Sequence, residues 1–289
     1  MLSVHSIADL RGWRAQAQGP LGFVATMGAL HAGHGQLIDQ ARTASASVAV
    51  SIFVNPIQFN QSEDFARYPR PLEADLAFCA ARGVDIVFAP ALEEMYPQPQ
   101  LAYAEVERVG EHMEGRFRPG HFRGVATVVL KLFQIVQPDC AYFGEKDAQQ
   151  LAVIRRMVRD LNLPVEIVGV PTVREPDGLA LSSRNRHLSA DERAVAPRLY
   201  QALHAAEECI AAGETDAQAV KRAAHAVLAA EPGMRVEYFE VANDAEMQLV
   251  ECIAGPVRVA AAVWVGRTRL IDNVRCLPAV QPANSSIQL

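Results

Sequence analysis

The chain has 289 residues, of which 50% are hydrophobic and 21% are charged, so it carries enough apolar side chains for a sizeable core. This composition excludes an intrinsically disordered or fibrous protein. The formal net charge of −6 argues against polymeric nucleic acid as a partner, because the molecule as a whole repels a phosphate backbone. The length favours two domains of unequal size.

Cysteine usage and the first residues indicate the compartment. The five cysteines form no C-x-x-C pair, which is typical of buried free thiols in a reducing compartment; they are Cys79, Cys140, Cys209, Cys252 and Cys276. Residues 1–11 lack a basic segment followed by an apolar one, and no stretch reaches the ~18 apolar residues of a membrane span. We therefore expect a cytoplasmic protein with no membrane partner.

The first part of the chain alternates between strand-like and helix-like patterns. A buried strand is predicted at 22–26, followed by a turn rich in glycine and histidine and by a helix. Further strands are predicted at 48–54, 85–89, 141–143 and 165–170, and further helices near 72–82, 125–136 and 148–161. This alternation predicts an α/β fold with a Rossmann-like, doubly wound parallel sheet.

Ligands of such sheets bind beyond the carboxyl ends of the strands. The loops that should converge on one cleft are those after Ala25, Val54, Phe143 and Val173.

The pattern changes after about Pro176. Residues 189–192 form a capping-box pattern that should open a long alanine-rich helix, and a second helix is expected near 215–230. Strand-like segments follow around 236–241, 257–265 and 268–274, and the chain closes with a polar tail at 281–288. We therefore predict a larger domain over residues 1–175 and a smaller α+β domain over residues 176–289.

The most informative motif is TMGALHAGHG at residues 26–35, between the first buried strand and its helix. A helix N-terminus offers unpaired N–H groups to an anion, Gly28 and Gly33 permit close backbone approach, and His31 and His34 can donate to phosphate oxygens. The motif is neither a P-loop nor a dinucleotide fingerprint, because it lacks the Gly-Lys-Ser/Thr ending and the third glycine. A turn whose histidines merely cap the helix is the alternative. A metal-binding pair is disfavoured, since no carboxylate ligand accompanies it.

Two further loops carry polar side chains after predicted strands. Asn55 and Gln58 are carboxamides that suit an uncharged hydroxyl, although an Asn-Pro turn with solvated side chains is the alternative. Lys146 can place a positive charge on phosphate oxygens, and Asp147 or its loop backbone can hold a ribose hydroxyl. A capping box formed by Asp147 and Gln150 is a second, compatible interpretation.

Several motifs together resemble a known family. Residues 26–35 resemble the HIGH signature of the class I aminoacyl-tRNA synthetase and nucleotidyltransferase superfamily. The narrower motifs are SIFVNPIQF at 51–59, YPR at 68–70, KLFQIVQP at 131–138, FGEKDAQQ at 143–150 and VREPDGLALSSRN at 173–185. In this order, and over nearly the whole chain, they are similar to the pantothenate synthetase (pantoate–β-alanine ligase) family.

The resemblance implies a ligase that condenses (R)-pantoate with β-alanine through a pantoyl-adenylate, releasing pyrophosphate and AMP in pantothenate biosynthesis. It implies Mg²⁺ with ATP, held mainly by substrate and water, and a homodimer. The implied catalytic residues are His31, His34 (the proton donor), Lys146 and Arg184. The implied ATP contacts are Met27, Gly28, His31, Gly33, His34, Gly144, Glu145, Lys146, Asp147, Val173, Leu181, Ser182, Ser183 and Arg184. The expected contacts to pantoate and β-alanine are Gln58, Gln150, Asn55 and Arg118.

Residues 181–185 occupy the place of the superfamily's KMSKS loop, with Leu181 where the family often has Met. Taken alone, this segment is a commonplace loop. Arg118 and Arg123 could attract a carboxylate or the triphosphate, or lie on a solvated connection, and Asp75 is a possible contributor near magnesium. Two other functions remain open, a nucleotidyltransferase whose substrate phosphate attacks the α-phosphate, and a catalytically idle nucleotide sensor.

Overall fold

The computed structural model describes residues 1–60, 62–229, 231 and 233–278, so the predicted tail at 281–288 lies outside the described residues. The chain divides into two compact units, Met1–His187 and Leu188–Leu289. This division falls after the loop at 182–184, whereas we placed the boundary before it. The loop stays with the first unit because the backbone N–H of Leu181 donates to the carbonyl of Val173 at 2.9 Å.

The first unit is built on a six-stranded, parallel sheet with the order β1-β4-β3-β2-β5-β6, which confirms the predicted fold class. The strands are β1 (Leu2–Val4), β2 (Leu21–Thr26), β3 (Ser47–Ile52), β4 (Ile86–Phe88), β5 (Cys140–Gly144) and β6 (Glu166–Val170). The strand order reverses between β2 and β5, because β3 and β5 flank β2 on opposite sides. The loops after these two strands therefore border the crevice where such sheets bind ligands.

Helices in the first unit are short apart from three. They are α1 (Ile7–Arg14), α2 (Ala32–Ala44), α3 (Ser62–Arg67), α4 (Leu72–Ala80), α5 (Leu92–Met95), α6 (Glu114–Phe117), α7 (His121–Val136) and α8 (Ala148–Asp160). Short 3-10 turns occupy Pro56–Gln58, Glu145–Asp147 and Ser183–His187. Burial of both sheet faces explains the apolar strands, and Phe23, Val24, Val48 and Val50 have no exposed surface.

The second unit consists of helices followed by an antiparallel sheet, as the sequence predicts. Its elements are α9 (Ala190–Val195), α10 (Arg198–Ala211), α11 (Ala217–Ala229), β7 (Met234–Asn243), β8 (Val257–Val265) and β9 (Thr268–Cys276). The sheet order is β7-β8-β9, with both pairs antiparallel. The helix α10 packs against α11 and against β8 and β9, and α11 packs against β7.

The capping box at the start of this unit is present, but the helix it opens is shorter than predicted. The Ser189 hydroxyl accepts from the N–H of Glu192, whose carboxylate accepts from the N–H of Ser189. Pro197 separates α9 from α10, because proline lacks the N–H that a continuing helix would use. The predicted single long helix is therefore wrong and is replaced by two.

All five cysteines are free thiols. Among the helices of the described residues, none combines the length and apolar character that a membrane crossing requires.

Candidate active site

The loop after β2 turns sharply through the left-handed region of backbone space. Gly28 has φ +82° and Ala29 has φ +52°. The N–H groups of Ala29 and Leu30 donate to the two carboxylate oxygens of Asp75, each at 2.8 Å. Asp75 lies on α4 and is only 3% exposed, so this loop is tied to a buried anion of the protein itself.

The two histidines cap the start of α2 and each other. Nδ1 of His31 accepts from the N–H of Gly33 at 3.1 Å, and Nδ1 of His34 accepts from the N–H of His31 at 3.3 Å. Their ring centroids lie 4.2 Å apart. Because both Nδ1 atoms are acceptors, each neutral ring carries its proton on Nε2 and can donate from there.

Four N–H groups of this turn donate within the protein, those of Ala29, Leu30, His31 and Gly33. The expectation that the start of α2, at Ala32, binds an anion stays a prediction. The imidazole Nε2–H groups add two donors that can reach a ligand there.

Both histidines are held in the neutral form. Burial and the cations of Lys146 and Arg186 lower the pKa of His31, against the opposing effect of Asp147. Burial, followed by the effect of His31, lowers the pKa of His34 to about 3. At neutral pH each ring is therefore an imidazole that donates a hydrogen bond, with no extra proton to give away.

The amide of Asn55 is fully engaged within the loop after β3. Its Nδ2 donates to Oε1 of Gln58 at 3.0 Å and to the carbonyl of Gly124 at 3.2 Å. Its Oδ1 accepts from the hydroxyl of Tyr96 at 2.7 Å. Asn55 is only 1% exposed, and its bond to Oε1 orients the amide of Gln58 from the buried side.

Gln58 presents an amide that a polar ligand can recruit. Its Nε2 donates to Sδ of Met27 at 3.0 Å, and a thioether sulfur is a weak acceptor. The side chain is 8% exposed. A substrate hydroxyl or carbonyl can therefore compete for these amide hydrogens at little cost.

His121, at the start of α7, supports the backbone beneath Gln58. Nδ1 of His121 lies 2.9 Å from the carbonyl oxygen of Gln58, and its Nε2 lies 3.2 Å from a guanidinium nitrogen of Arg118. Burial and Arg118 lower the pKa of His121 to about 4, although the bond to Gln58 acts in the opposite direction. The neutral ring therefore donates from Nδ1 to the carbonyl and accepts at Nε2 from Arg118. Arg118 also lies 3.8 Å from the Glu114 carboxylate.

The loop after β5 forms the 3-10 turn Glu145–Asp147, which runs directly into α8. Asp147 makes no capping hydrogen bond with its side chain, so the predicted capping box with Gln150 is wrong. The 3-10 turn already positions the backbone in front of α8, so the Asp147 carboxylate does not serve as the helix cap. Gln150 is half-buried on the first turn of α8. Gln149 beside it accepts from the N–H of Glu114 at 3.0 Å and so holds the segment before Arg118.

A tight hairpin follows β6 and carries the last predicted loop. Arg174 and Ala180 form an antiparallel bridge, and Gly178 takes φ +91° at the turn. The hydroxyl of Ser182 accepts from the N–H of Arg184 at 3.3 Å. The exposed Arg184 guanidinium thus extends from a short, self-bonded turn at the end of the hairpin.

Charges from these separate loops meet around Asp147. Burial acts to raise the pKa of Asp147, but Lys146, Arg184 and Arg118 lower it below the usual aspartate value. Asp147 is exposed, so a ligand can reach this charged region from the solvent. The loops after β2, β5 and β6 and the start of α7 therefore contribute to one charged region.

Sequence reasoning gave Tyr68 and Arg186 no role and left Asp75 undecided. Burial raises the pKa of Tyr68, while Arg184 and a hydrogen bond with Ser183 act in the opposite direction. Tyr68 therefore connects the region near α4 with the loop at 182–184. In the sequence, Tyr68 is marked only by the YPR motif. Arg186 is marked only by its position two residues after Arg184.

A doubly wound parallel sheet whose switch-point loops carry imidazole, ammonium and guanidinium groups defines a nucleotide-binding α/β enzyme with a HIGH-type loop. Comparison with known proteins narrows this class. The family described as pantoate-beta-alanine ligase matches residues 2–275, and the chain belongs to that family.

Individual relatives agree with this membership. A pantothenate synthetase of Chloroflexus aurantiacus is 56% identical over 274 residues, 94% of this chain and 97% of the relative. A bifunctional pantoate ligase/cytidylate kinase of Synechococcus elongatus is 55% identical over 95% of this chain. The chain spans about half the length of that bifunctional relative, 53%.

Solved structures of two relatives superpose on this chain over nearly its whole length. The crystal structure of pantothenate synthetase from Thermus thermophilus superposes with a TM-score of 0.90 at 48% identity, covering 96% of this chain and all of that one (100%). The pantoate-beta-alanine ligase from Francisella tularensis, described as complexed with beta-gamma ATP and beta-alanine, gives a TM-score of 0.79 at 35% identity. That match covers 95% of this chain and 97% of the Francisella chain.

Proposed function

We propose that this chain is an ATP-dependent, AMP-forming pantoate–β-alanine ligase of pantothenate biosynthesis. The observation that carries the proposal is the arrangement at the sheet's switch point. There, two neutral imidazoles and the cations Lys146 and Arg184 act on one region, while the uncharged amide of Gln58 lies on the next loop. Family membership over residues 2–275 supports it, as does the Francisella ligase described as complexed with beta-gamma ATP and beta-alanine.

The charged groups suit a triphosphate. His31 and His34 would donate Nε2–H hydrogen bonds to phosphate oxygens, and their lowered pKa values favour this role over proton transfer. Lys146 and Arg184, with the hydroxyls of Ser182 and Ser183, would stabilise the negative charge that builds on the leaving pyrophosphate. The carboxylate of Asp147 would accept hydrogen bonds from the ribose hydroxyls. The remaining proposed ATP contacts are Met27, Gly28, Gly33, Gly144, Glu145, Val173 and Leu181.

The uncharged amides suit pantoate, which carries two hydroxyls beside its carboxylate. Gln58 and Gln150 would bind these groups, and Arg118 would contribute positive charge toward a substrate carboxylate. For Asn55 we propose a positioning role, because its amide is occupied by Gln58, Gly124 and Tyr96.

The reaction then proceeds in two balanced steps. A carboxylate oxygen of pantoate attacks the α-phosphorus, and the bond from that phosphorus to the bridging oxygen breaks to release pyrophosphate. The neutral amine of β-alanine next attacks the acyl carbonyl, the bond from the acyl carbon to the phosphate oxygen breaks so that AMP leaves with the electron pair, and the proton lost by the amine passes to solvent. No covalent enzyme intermediate is needed. Holding the reactants in line can supply about 7–11 kcal/mol of the barrier.

Magnesium, dimerisation and location belong to the same proposal. Among the residues that the structure describes, no group of three His, Cys, Asp or Glu side chains is arranged to hold a metal ion. We expect Mg²⁺ to enter with ATP, held by phosphate oxygens and water, where it would neutralise phosphate charge. The free thiols fit the cytoplasm, and the homodimer implied by the family can be tested by sedimentation.

Mass spectrometry after mixing the protein with ATP, Mg²⁺ and pantoate tests the proposal directly. A pantoyl-adenylate should form, with a single-turnover burst of pyrophosphate, before β-alanine is added. Pyrophosphate release that depends strictly on β-alanine would contradict the two-step order. Nucleotide binding without any adenylate would favour the sensor instead.

A further inference from the structure

We propose that Asp75 is a positioning residue that sets the shape of the loop bearing His31 and His34. Its two carboxylate oxygens accept separately from the N–H groups of Ala29 and Leu30, each at 2.8 Å. The carboxylate is buried, with only 3% of the residue exposed. Asp75 and the loop lie 46 and 45 residues apart along the chain, so this contact is tertiary and not part of a local turn.

The loop geometry requires such an anchor. Gly28 and Ala29 are consecutive residues in the left-handed region, at φ +82° and +52°. An alanine in that region is strained and persists only where its surroundings hold it there. Successive N–H groups in such a turn point to one side and form an anion-binding concavity. Asp75 fills that concavity with the protein's own anion.

Space around Gly28 agrees with a fixed contact. A Cβ on Gly28 would lie 2.9 Å from Oδ2 of Asp75 and 3.1 Å from Cγ2 of Ile52. The carboxylate therefore lies so close to the backbone of residue 28 that a Cβ there would crowd it, which favours glycine at this position.

The anchor has a consequence for the histidines. With Ala29 and Leu30 tied to Asp75, the next N–H, that of His31, donates to Nδ1 of His34. This bond fixes the tautomer that leaves Nε2–H of His34 available. Asp75 thus acts on the ligand through the backbone and the imidazoles. Each of its oxygens accepts one of these bonds, so the role that the contacts support is anchoring of the loop.

The test is Asp75→Asn, in which one amide oxygen can still accept but the NH₂ group opposes the second N–H. The matched control is Asp139→Asn, because Oδ2 of Asp139 accepts from the N–H of Leu21 at 2.8 Å, at the opposite end of β2. Hydrogen exchange measured by NMR should accelerate at least about tenfold at Ala29 and Leu30 in the first variant. It should stay unchanged at these two amides in the control.

The kinetic part rests on the proposed function of His31 and His34 toward ATP. Asp75→Asn should lower adenylate formation more than about tenfold, whereas amide formation from synthetic pantoyl-adenylate should change less than about threefold. A role limited to stability would lower both half-reactions equally. Raising Mg²⁺ should not restore the lost rate, and full recovery at high Mg²⁺ would make Asp75 a metal ligand and overturn the proposal.

Gly28→Ala attacks the same contact from the loop side and serves if Asp75→Asn does not fold. Because both substitutions disturb one contact, amide exchange at Ala29 and Leu30 in the double variant should be no faster than about that of the worse single variant. Additive acceleration of this exchange would overturn the proposal, as would normal adenylate formation in Asp75→Asn despite faster exchange at Ala29 and Leu30. If the wild-type protein forms no adenylate at all, the proposed function fails, while the exchange experiment still tests the anchor.

Discussion

Nδ2 of Asn55 donates a 3.0 Å hydrogen bond to Oε1 of Gln58, so one buried amide orients another whose own NH₂ group contacts only a weak acceptor in the described part of the chain. The sequence suggests substrate contact for both residues, whereas the hydrogen bonds suit Asn55 to positioning and Gln58 to substrate contact. Asn55 is held by the protein on every side, whereas Gln58 can exchange Met27 for a substrate group.

Gln58→Ala should therefore impair the use of pantoate far more than that of ATP. Removing the amide leaves a buried substrate hydroxyl without its partner, which costs about 1–3 kcal/mol. We expect the KM for pantoate to rise about 5- to 150-fold and the KM for ATP to stay within about threefold. Steady-state kinetics with each substrate varied in turn measures both. Equal changes in the two constants would remove Gln58 from the acid-binding site.

His34→Ala and Lys146→Ala should each slow adenylate formation by more than about tenfold with the fold retained. Losing one preorganised donor to developing charge typically costs ~2.7–4 kcal/mol. Rapid-quench measurement of pyrophosphate tests this, and both variants should process synthetic pantoyl-adenylate more nearly normally. His204→Ala, at an exposed histidine on α10, is the control and should be indistinguishable from wild type. A Lys146 variant that fails only in amide formation would assign the phosphate role to another loop.

Gly124→Ala should displace the turn that carries Gln58. An added Cβ would clash with the carbonyl oxygen of Ile57 and would lie 2.7 Å from Cα of Gln58, closer than real contacts allow. We expect a higher KM for pantoate and a loss of about 1–3 kcal/mol in unfolding free energy, typical of overpacking. Gly12→Ala is the matched control, since nothing lies within 4 Å of that Cβ. It should stabilise α1 by roughly 0.5–1 kcal/mol. Equal behaviour of the two variants in denaturant melts would show that α7 can move away from the turn.

Protonation of His121 should make the first unit less stable in acid. Burial lowers the pKa of His121 to about 4, from 6.5 in the unfolded chain, so between these values the unfolded state binds more protons. The contribution of His121 to stability is therefore complete above about pH 6.5 and is lost as the pH falls toward 4. His121→Asn, whose Nδ2 can still donate to the carbonyl of Gln58, should flatten this part of the pH profile of the unfolding free energy. A slope unchanged by the substitution would assign the acid sensitivity to other groups.

Patterns within a few residues predicted most of the fold. The strands β2 to β6 and the helices α7 and α8 are found near the expected positions, because buried parallel strands and amphipathic helices have strong periodic signals. The strand β1 escaped prediction because it has three residues and lies at the sheet edge, beside β4. Pro197 marks the interruption between α9 and α10 in the sequence, but the alanine-rich pattern on both sides of it favours one continuous helix.

Side-chain chemistry was predictable only as far as residue type. The histidines, Lys146 and Gln58 could be selected because of the loops they occupy, but the tautomers could not, since these depend on which N–H each ring accepts. The role of Asp75 was hidden for the same reason, because its partners lie 45 and 46 residues earlier. Contacts of that kind follow from sheet order and not from local pattern.

The position of β2 between β3 and β5 has a consequence for synthesis of the chain on the ribosome. The strand β3 follows β2 closely, whereas Leu21 and its partner Asp139 are 118 residues apart. One edge of β2 therefore stays without its neighbour until the chain beyond residue 144 has emerged. The histidine loop and Lys146 can form a common cleft only after that event. A nascent chain that stops earlier would expose a bare strand edge, which is where unwanted pairing between chains begins.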